Sequence, residues 1–249
     1  MSFQLTQEQE MIRLMAQDFA KTELEPFASN WDQEARFPEE AVRKMGALGL
    51  MGMMIPAEYG GAGAGALSYS LALQEIAYAC ASTAVTMSVT NLCSDPILQF
   101  GTEEQKHRYL VPLARGEMLG AFAVTEPAAG SDPGSMTTRA EDCGDHYRVN
   151  GAKVFITNGS RADVIVLIAR TGSEKANRGL SAFLLTKGTP GFRIGRAEEK
   201  MGLRASDTVE LIFEDCRIPK ENLLGREGIG FKIAMAALDS GRIGIASQS

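Results

Sequence analysis

Two hydrophobic periods divide the chain. Through its first half, apolar residues recur every three or four positions, the spacing of helices that bury one face. Thr6 and Gln9 fit a capping box, in which each side chain satisfies the other's free backbone N–H, and Ile12, Met15 and Phe19 follow at helical spacing. Phe37 and Pro38 open a second helix, EEAVRKMGALGL, with proline at the first position, where its missing N–H is tolerated. A glycine-rich loop over 60–65 leads to a long apolar helix around 67–80, and another helix covers about 82–100. Thr102 and Gln105 repeat the capping-box spacing at the start of TEEQKHRYLVPLA. Near Gly116 the pattern changes. AFAVTE, HYRVNGAKVFIT, DVIVLIAR, LSAFLLTK, GFRIG and VELIFEDCRI are short runs of β-branched and aromatic residues separated by turn residues. Asn150-Gly151 predicts a hairpin, because both residues accept positive φ. The set predicts a compact β domain, a barrel or sandwich. From about Gly228 a helix resumes, with Phe231, Ala234, Met235 and Leu238 on an apolar face that nothing left in the chain covers. The expected class is α+β: an all-α domain over 1–115, a β domain over 116–227, and the first helix of a second α domain over 228–249.

Composition narrows the function classes. A chain of 249 residues, 45% of them hydrophobic, is long enough for a sizeable core. The 25 basic against 31 acidic residues give a net charge of -6. That balance argues against nucleic acid or an anionic membrane as the main partner, since both draw on a surplus of Lys and Arg, but leaves local binding of a phosphorylated ligand open. Cys80, Cys93, Cys143 and Cys216 are far apart and form no C-x-x-C pair, which predicts free thiols in a reducing compartment. His107 and His146 are isolated, so no metal site is expected. The start, MSFQLTQEQEMIRLM, has neither the basic and apolar run of a secretory signal nor the composition of an organelle leader, and no apolar stretch reaches membrane-spanning length. The expectation is a cytoplasmic protein.

Three stretches could carry chemistry. Gly61, Gly63 and Gly65 loosely match a dinucleotide fingerprint, but their flanks are helical and no βαβ unit surrounds them, so an interhelical loop is the better reading. In Phe122-Ala123-Val124-Thr125-Glu126-Pro127-Ala128-Ala129-Gly130-Ser131-Asp132 a strand ending at Thr125 gives way to small residues. Such a loop lets a ligand approach backbone N–H groups and the hydroxyls of Thr125 and Ser131, although a plain strand-to-loop exit explains it equally well. Phe155-Ile156-Thr157 sets an aromatic face and a hydroxyl two residues apart, on one side of a strand. That pairing suits a flat, hydrogen-bonding heterocycle; spacing alone favours core packing.

The run AFAVTEPAAGSD, then VNGAKVFITNG, then KMGLRASDTVELIFEDCRIPKENLLG and GFKIAMAALDSGRIGIASQ, resembles the acyl-CoA dehydrogenases, above all their short-chain, butyryl-CoA-type members. The resemblance covers the whole chain in order. It implies a helical, a β and a second helical domain, with FAD and an acyl-CoA thioester between them, in a subunit that commonly forms homotetramers. It implies that Phe122, Val124, Thr125, Ser131, Phe155, Ile156 and Thr157 contact the cofactor. Thr125 would bond the flavin's pyrimidine end, Phe155 would pack on the ring system, where many relatives carry Trp, and Thr157 would donate near N5. Ser131, Asp239 and Arg242 would meet the substrate. Glu126 reads as a structural carboxylate.

In that family a carboxylate removes the α-proton of the thioester while the β-hydrogen leaves as hydride, and an electron-transfer flavoprotein usually collects the electrons. The resemblance places the usual glutamate base in a YEGT-like segment beyond Ser249, so the chain is expected to be a fragment of a longer one. Asp95, just before Pro96 in NLCSDPILQF, is a speculative second base or polar selector of the acyl group, set against a capping aspartate facing solvent. Two rival functions share the fold: an acyl-CoA oxidase or flavin monooxygenase relative, and a non-catalytic flavin- or acyl-CoA-binding subunit.

Overall fold

The structure is a computed structural model, which describes residues 4–172 and 179–249. Its first part is helical: α1 (Gln7–Phe19), α2 (Glu25–Gln33), α3 (Glu39–Ala47), α4 (Gly65–Ala79), α5 (Ala81–Phe100), α6 (Glu103–Gln105) and α7 (Val111–Ala114). Both capping boxes form, at Thr6 with Gln9 and at Thr102 with Gln105. α2 is a helix that sequence periodicity did not announce. Pro26 opens it, and its single buried side chain is Trp31. α3 has Pro38 at its N-cap rather than inside its first turn.

The buried helix α5 organises the rest. Its hydroxyls are turned back onto its own carbonyls, Thr86 to Ser82, Thr90 to Thr86 and Ser94 to Thr90, so a polar sequence runs through the core with its donors satisfied. On one side α5 meets the first strand so closely that a side chain on Gly120 would lie 2.6 Å from Cys93 Cβ.

The β part is one sheet: β1 (Gly120–Ala123), β2 (Arg139–Asp142), β3 (His146–Thr157), β4 (Val164–Arg170), β5 (Leu180–Thr186), β6 (Phe192–Ala197), β7 (Thr208–Pro219) and β8 (Leu223–Leu224). The order is β6-β7-β3-β2-β4-β5-β8, with β1 added parallel to β4. The sheet curls until Tyr147 of β3 meets Phe183 of β5 edge to face, ring centroids 4.8 Å apart. β4 and β5 are buried on both faces. Ile165, Leu167, Phe183 and Leu185 fill the inside of the curl, while Val164, Val166, Ile168 and Leu184 pack on the helical layer. Phe183, with no exposed surface, contributes about 2–3 kcal/mol by burial alone.

Three expectations need correction. β1 ends at Ala123, two residues before Thr125. Asn150-Gly151 makes no hairpin: β3 runs straight through it, with a register shift against β7 between Val149 and Gly151. The residues that tolerate a two-residue turn also tolerate a β-bulge. Here Gly151 adopts φ 145, and Asn150 exchanges hydrogen bonds with Asp215 across the ladder.

The final helix, α8 (Gly230–Gln248), is not left bare either. Ile233, Ala234 and Ala237 are buried in the core shared by α5 and the outer face of β4 and β5, and Phe231 and Met235 pack against it. Leu238, Ile243 and Ile245 keep substantial exposure. Among the described residues no helix is long and apolar enough to cross a membrane, and no group of His, Cys, Asp and Glu could hold a metal ion.

Candidate functional site

A cavity of about 740 Å³ opens where the ends of β1 and β3 face α5 and α8. Val89 and Leu92 of α5 and Phe231, Met235 and Leu238 of α8 form its apolar side. β1 contributes Phe122, the loop after it Val124, Thr125, Ser131, Asp132 and Pro133, the end of β3 Phe155, Ile156 and Thr157, and Arg242 closes the α8 side. All seven residues expected to contact a cofactor therefore line one cavity.

The end of β3 owes its shape to a second bulge. Register against β7 shifts between Lys153 and Ile156, and Phe155 takes φ 59, a left-handed conformation that an aromatic residue seldom adopts. The result is a phenyl ring 63% exposed at the cavity, beside an Ile156 that is buried in the sheet. Simple alternation would have put Phe155 and Thr157 on one side of a regular strand; they share the cavity, but across a bulge. Asn158, at φ 63, pins this end: its N–H donates to Asp207 O at 2.9 Å and its Nδ2 to Gly120 O at 3.0 Å and Thr86 O at 3.2 Å. It thereby ties β3 to both β1 and α5. Sequence reasoning passed over Asn158, although its place in ITNG beside Thr157 was the available signal.

Among the described residues, the hydroxyls of Thr125, Ser131 and Thr157 have no side-chain hydrogen-bond partner, which leaves them to a ligand. An exposed ring, free hydroxyls and a cavity of this size together fit a flat heterocycle with polar edges.

Behind the loop lies a buried ion pair that sequence reasoning only half found. Glu126 is 3% exposed and Lys153 fully buried, with Nζ 2.8 Å from Oε1. Glu126 also accepts from Thr137 N at 2.6 Å, Thr137 Oγ1 at 2.9 Å and Thr138 N at 3.0 Å. Burial alone would push its carboxyl up, but the Lys153 charge and these donors hold it down at about 2. Glu126 is thus an ionised structural group. Burial also pushes the Lys153 ammonium down, against the pull of Glu126.

Two expected site residues stand apart. Asp239 is outside the lining and pairs with Arg242, one turn on. Asp95 is outside it too: its Oδ2 accepts from Gln99 Nε2 at 2.8 Å and from Ser240 Oγ at 3.1 Å, so it tethers α5 to α8. It neither reaches the cavity nor caps a helix end.

The chain matches two consecutive family profiles, "Acyl-CoA dehydrogenase, N-terminal domain" over residues 6–117 and "Acyl-CoA dehydrogenase, middle domain" over residues 121–216. It belongs to the acyl-CoA dehydrogenase family. Within that family it is 52% identical, over its whole length, to the short-chain specific acyl-CoA dehydrogenase of Clostridium acetobutylicum, of which it covers 66%. It superposes on butyryl-CoA dehydrogenase from Megasphaera elsdenii with a TM-score of 0.97 at 46% identity, all of this chain on 66% of that one. A TM-score of 0.98 at 50% identity, again over all of this chain and 66% of the other, relates it to a chain solved in work on the electron transferring flavoprotein of Acidaminococcus fermentans. The chain spans between 60% and 66% of the length of the curated relatives it matches first.

Proposed function

We propose that this chain forms the cofactor- and thioester-facing part of an FAD-dependent acyl-CoA dehydrogenase that converts a short acyl-CoA to its 2-enoyl-CoA. The observation that carries the reading is the convergence of Phe155, Thr125, Ser131 and Thr157 on one cavity whose hydroxyls have no other described partner. The FAD supplies the acceptor for the β-hydrogen. Phe122, Val124, Thr125, Phe155, Ile156 and Thr157 hold it, with Phe155 offering its face and the two threonines their hydroxyls. Ser131 serves cofactor and substrate alike. Arg242 receives the anionic part of the CoA, and Asp239 orients it through their ion pair.

Val89, Leu92 and Leu238 exclude water from the acyl group. Dry walls strengthen the electrostatic contacts inside. Among the described lining residues the one carboxylate, Asp132, accepts from Gly134 N in its own turn. Electrons pass to an electron-transfer flavoprotein, the subunits associate as homotetramers, and the compartment is the cytoplasm. The three-part division at 115 and 227 completes the reading.

Anaerobic addition of butyryl-CoA to the isolated flavoprotein tests it. Bleaching of the oxidised flavin band is the expected result; an intact band over a bound flavin contradicts the dehydrogenase reading. Peroxide production with oxygen as sole acceptor would move it to an oxidase.

A further inference from the structure

Lys153 is an unusual residue to find with no exposed surface inside a β-sheet. A buried ammonium is costly to desolvate, and replacing a buried ion pair by apolar residues of equal volume is often neutral or stabilising. Stability alone is therefore a weak reason for its presence. Its contacts suggest another. Nζ donates to Val124 O and to Glu126 Oε1, each at 2.8 Å, and lies 3.8 Å from Met136 Sδ. These three acceptors belong to the loop that leaves β1 and borders the cavity. The next residue along β3 adds a fourth grip, since Val154 N donates to Thr125 O at 3.0 Å.

Thr125 is thus held on both sides and at its own carbonyl. The same lysine stands at the start of the bulge that turns Phe155 outward. One side chain connects the two neighbouring segments that border the cavity, the loop after β1 and the end of β3.

We propose that Lys153 is a positioning residue for the flavin site, fixing the Thr125 backbone and hydroxyl through its bonds to Val124 O and Glu126. An apolar side chain of equal volume fills the space but cannot hold a carbonyl and a carboxylate together. The inference rests on the reading of the cavity as a flavin site, and its test separates the two.

The full chain, freed of flavin, is compared with Lys153→Met and with the neutral double variant Lys153→Met/Glu126→Gln, which leaves no unpaired charge behind. Three quantities are measured: the melting temperature, the FAD dissociation constant from fluorescence quenching, and amide exchange at Val154, Thr137 and Thr138. The double variant is expected to melt close to the wild type, to bind FAD at least tenfold more weakly, and to exchange those amides at least tenfold faster while α4 amides keep their protection. Wild-type FAD affinity and wild-type exchange in a well-folded double variant would overturn the proposal and leave Lys153 a packing residue. If the wild type itself binds no FAD, the flavin reading falls and the exchange rates alone decide: unchanged rates at Val154 reject the strut, faster ones retain it. Should the double variant fail to fold, Lys153→Arg decides, because it keeps the charge without the reach geometry; the same loss of FAD affinity is expected, and wild-type affinity contradicts it.

Discussion

Phe155 sits at φ 59, where a side chain beyond Cβ is crowded and the backbone cost is about 1–2 kcal/mol. Its ring, 63% exposed, recovers little of that by burial. Strain without compensating packing, at the edge of a cavity, is the mark of a residue kept for a ligand. Phe155→Gly is expected to raise stability by about 1 kcal/mol while weakening FAD binding at least tenfold, measured by denaturant unfolding and flavin fluorescence. A drop in stability with unchanged flavin affinity would remove Phe155 from the site. Asp95 carries the opposite expectation. Its carboxylate serves Gln99 and Ser240, outside the cavity, and Asp95→Asn retains an acceptor oxygen for Ser240. Turnover of straight and cyclic thioesters should keep its ratio in that variant; a changed ratio would bring Asp95 back as a selector. At this scale the placement of Thr125 and Thr157 on one cavity was legible, because each residue's chemistry agreed with its motif. The tie from Asp95 to Ser240 was not legible, because a lone acid before a proline says nothing of what lies opposite it.

Local chemistry announced some elements and not others. The capping boxes at Thr6 and Thr102 could be read because both partners lie within four residues. Asn150-Gly151 could not be resolved, since hairpin and bulge ask the same backbone of those residues and only the partner strand β7 decides. The end of β3 was hidden for the same reason: a bulge shifts the side-chain phase, and it depends on the ladder rather than on the run itself. The loop after β1 depends on Glu126, whose carboxyl is lowered from 4.5 to about 2 on folding. A depressed carboxylate contributes stability that is complete above its unfolded value and is lost as pH falls toward the folded one. Stability should therefore decline between about pH 4.5 and pH 2, by on the order of 2–3 kcal/mol from this group. Glu126→Gln should flatten that part of the profile and cost about 3 kcal/mol at neutral pH, because it strands Lys153, as followed by urea unfolding across pH. An unaltered acid limb would mean that Glu126 does not carry it.

The whole molecule is two layers pressed together along α5 and β1, with the cavity at one end of their contact. Gly120 sets the spacing: a Cβ there would lie 2.6 Å from Cys93 Cβ and 2.9 Å from its Sγ. Gly120→Ala should cost about 1–3 kcal/mol in denaturant unfolding and also weaken flavin binding, since Phe122 of β1 and Leu92 of α5 both line the cavity. Loss of stability with full flavin affinity would show that the layers shift without disturbing the site. Sequence periodicity foresaw both layers, but not their packing; α8 read as bare because its cover, α5 and the outer faces of β4 and β5, lies far away in the chain. The central claim, that this seam is a flavin site, is tested most directly by titrating FAD into the flavin-free chain and following the quenching of its fluorescence. Saturable binding at one FAD per chain, weakened at least tenfold in Phe155→Gly, is the predicted result. Absence of binding, or binding indifferent to that substitution, would contradict the account.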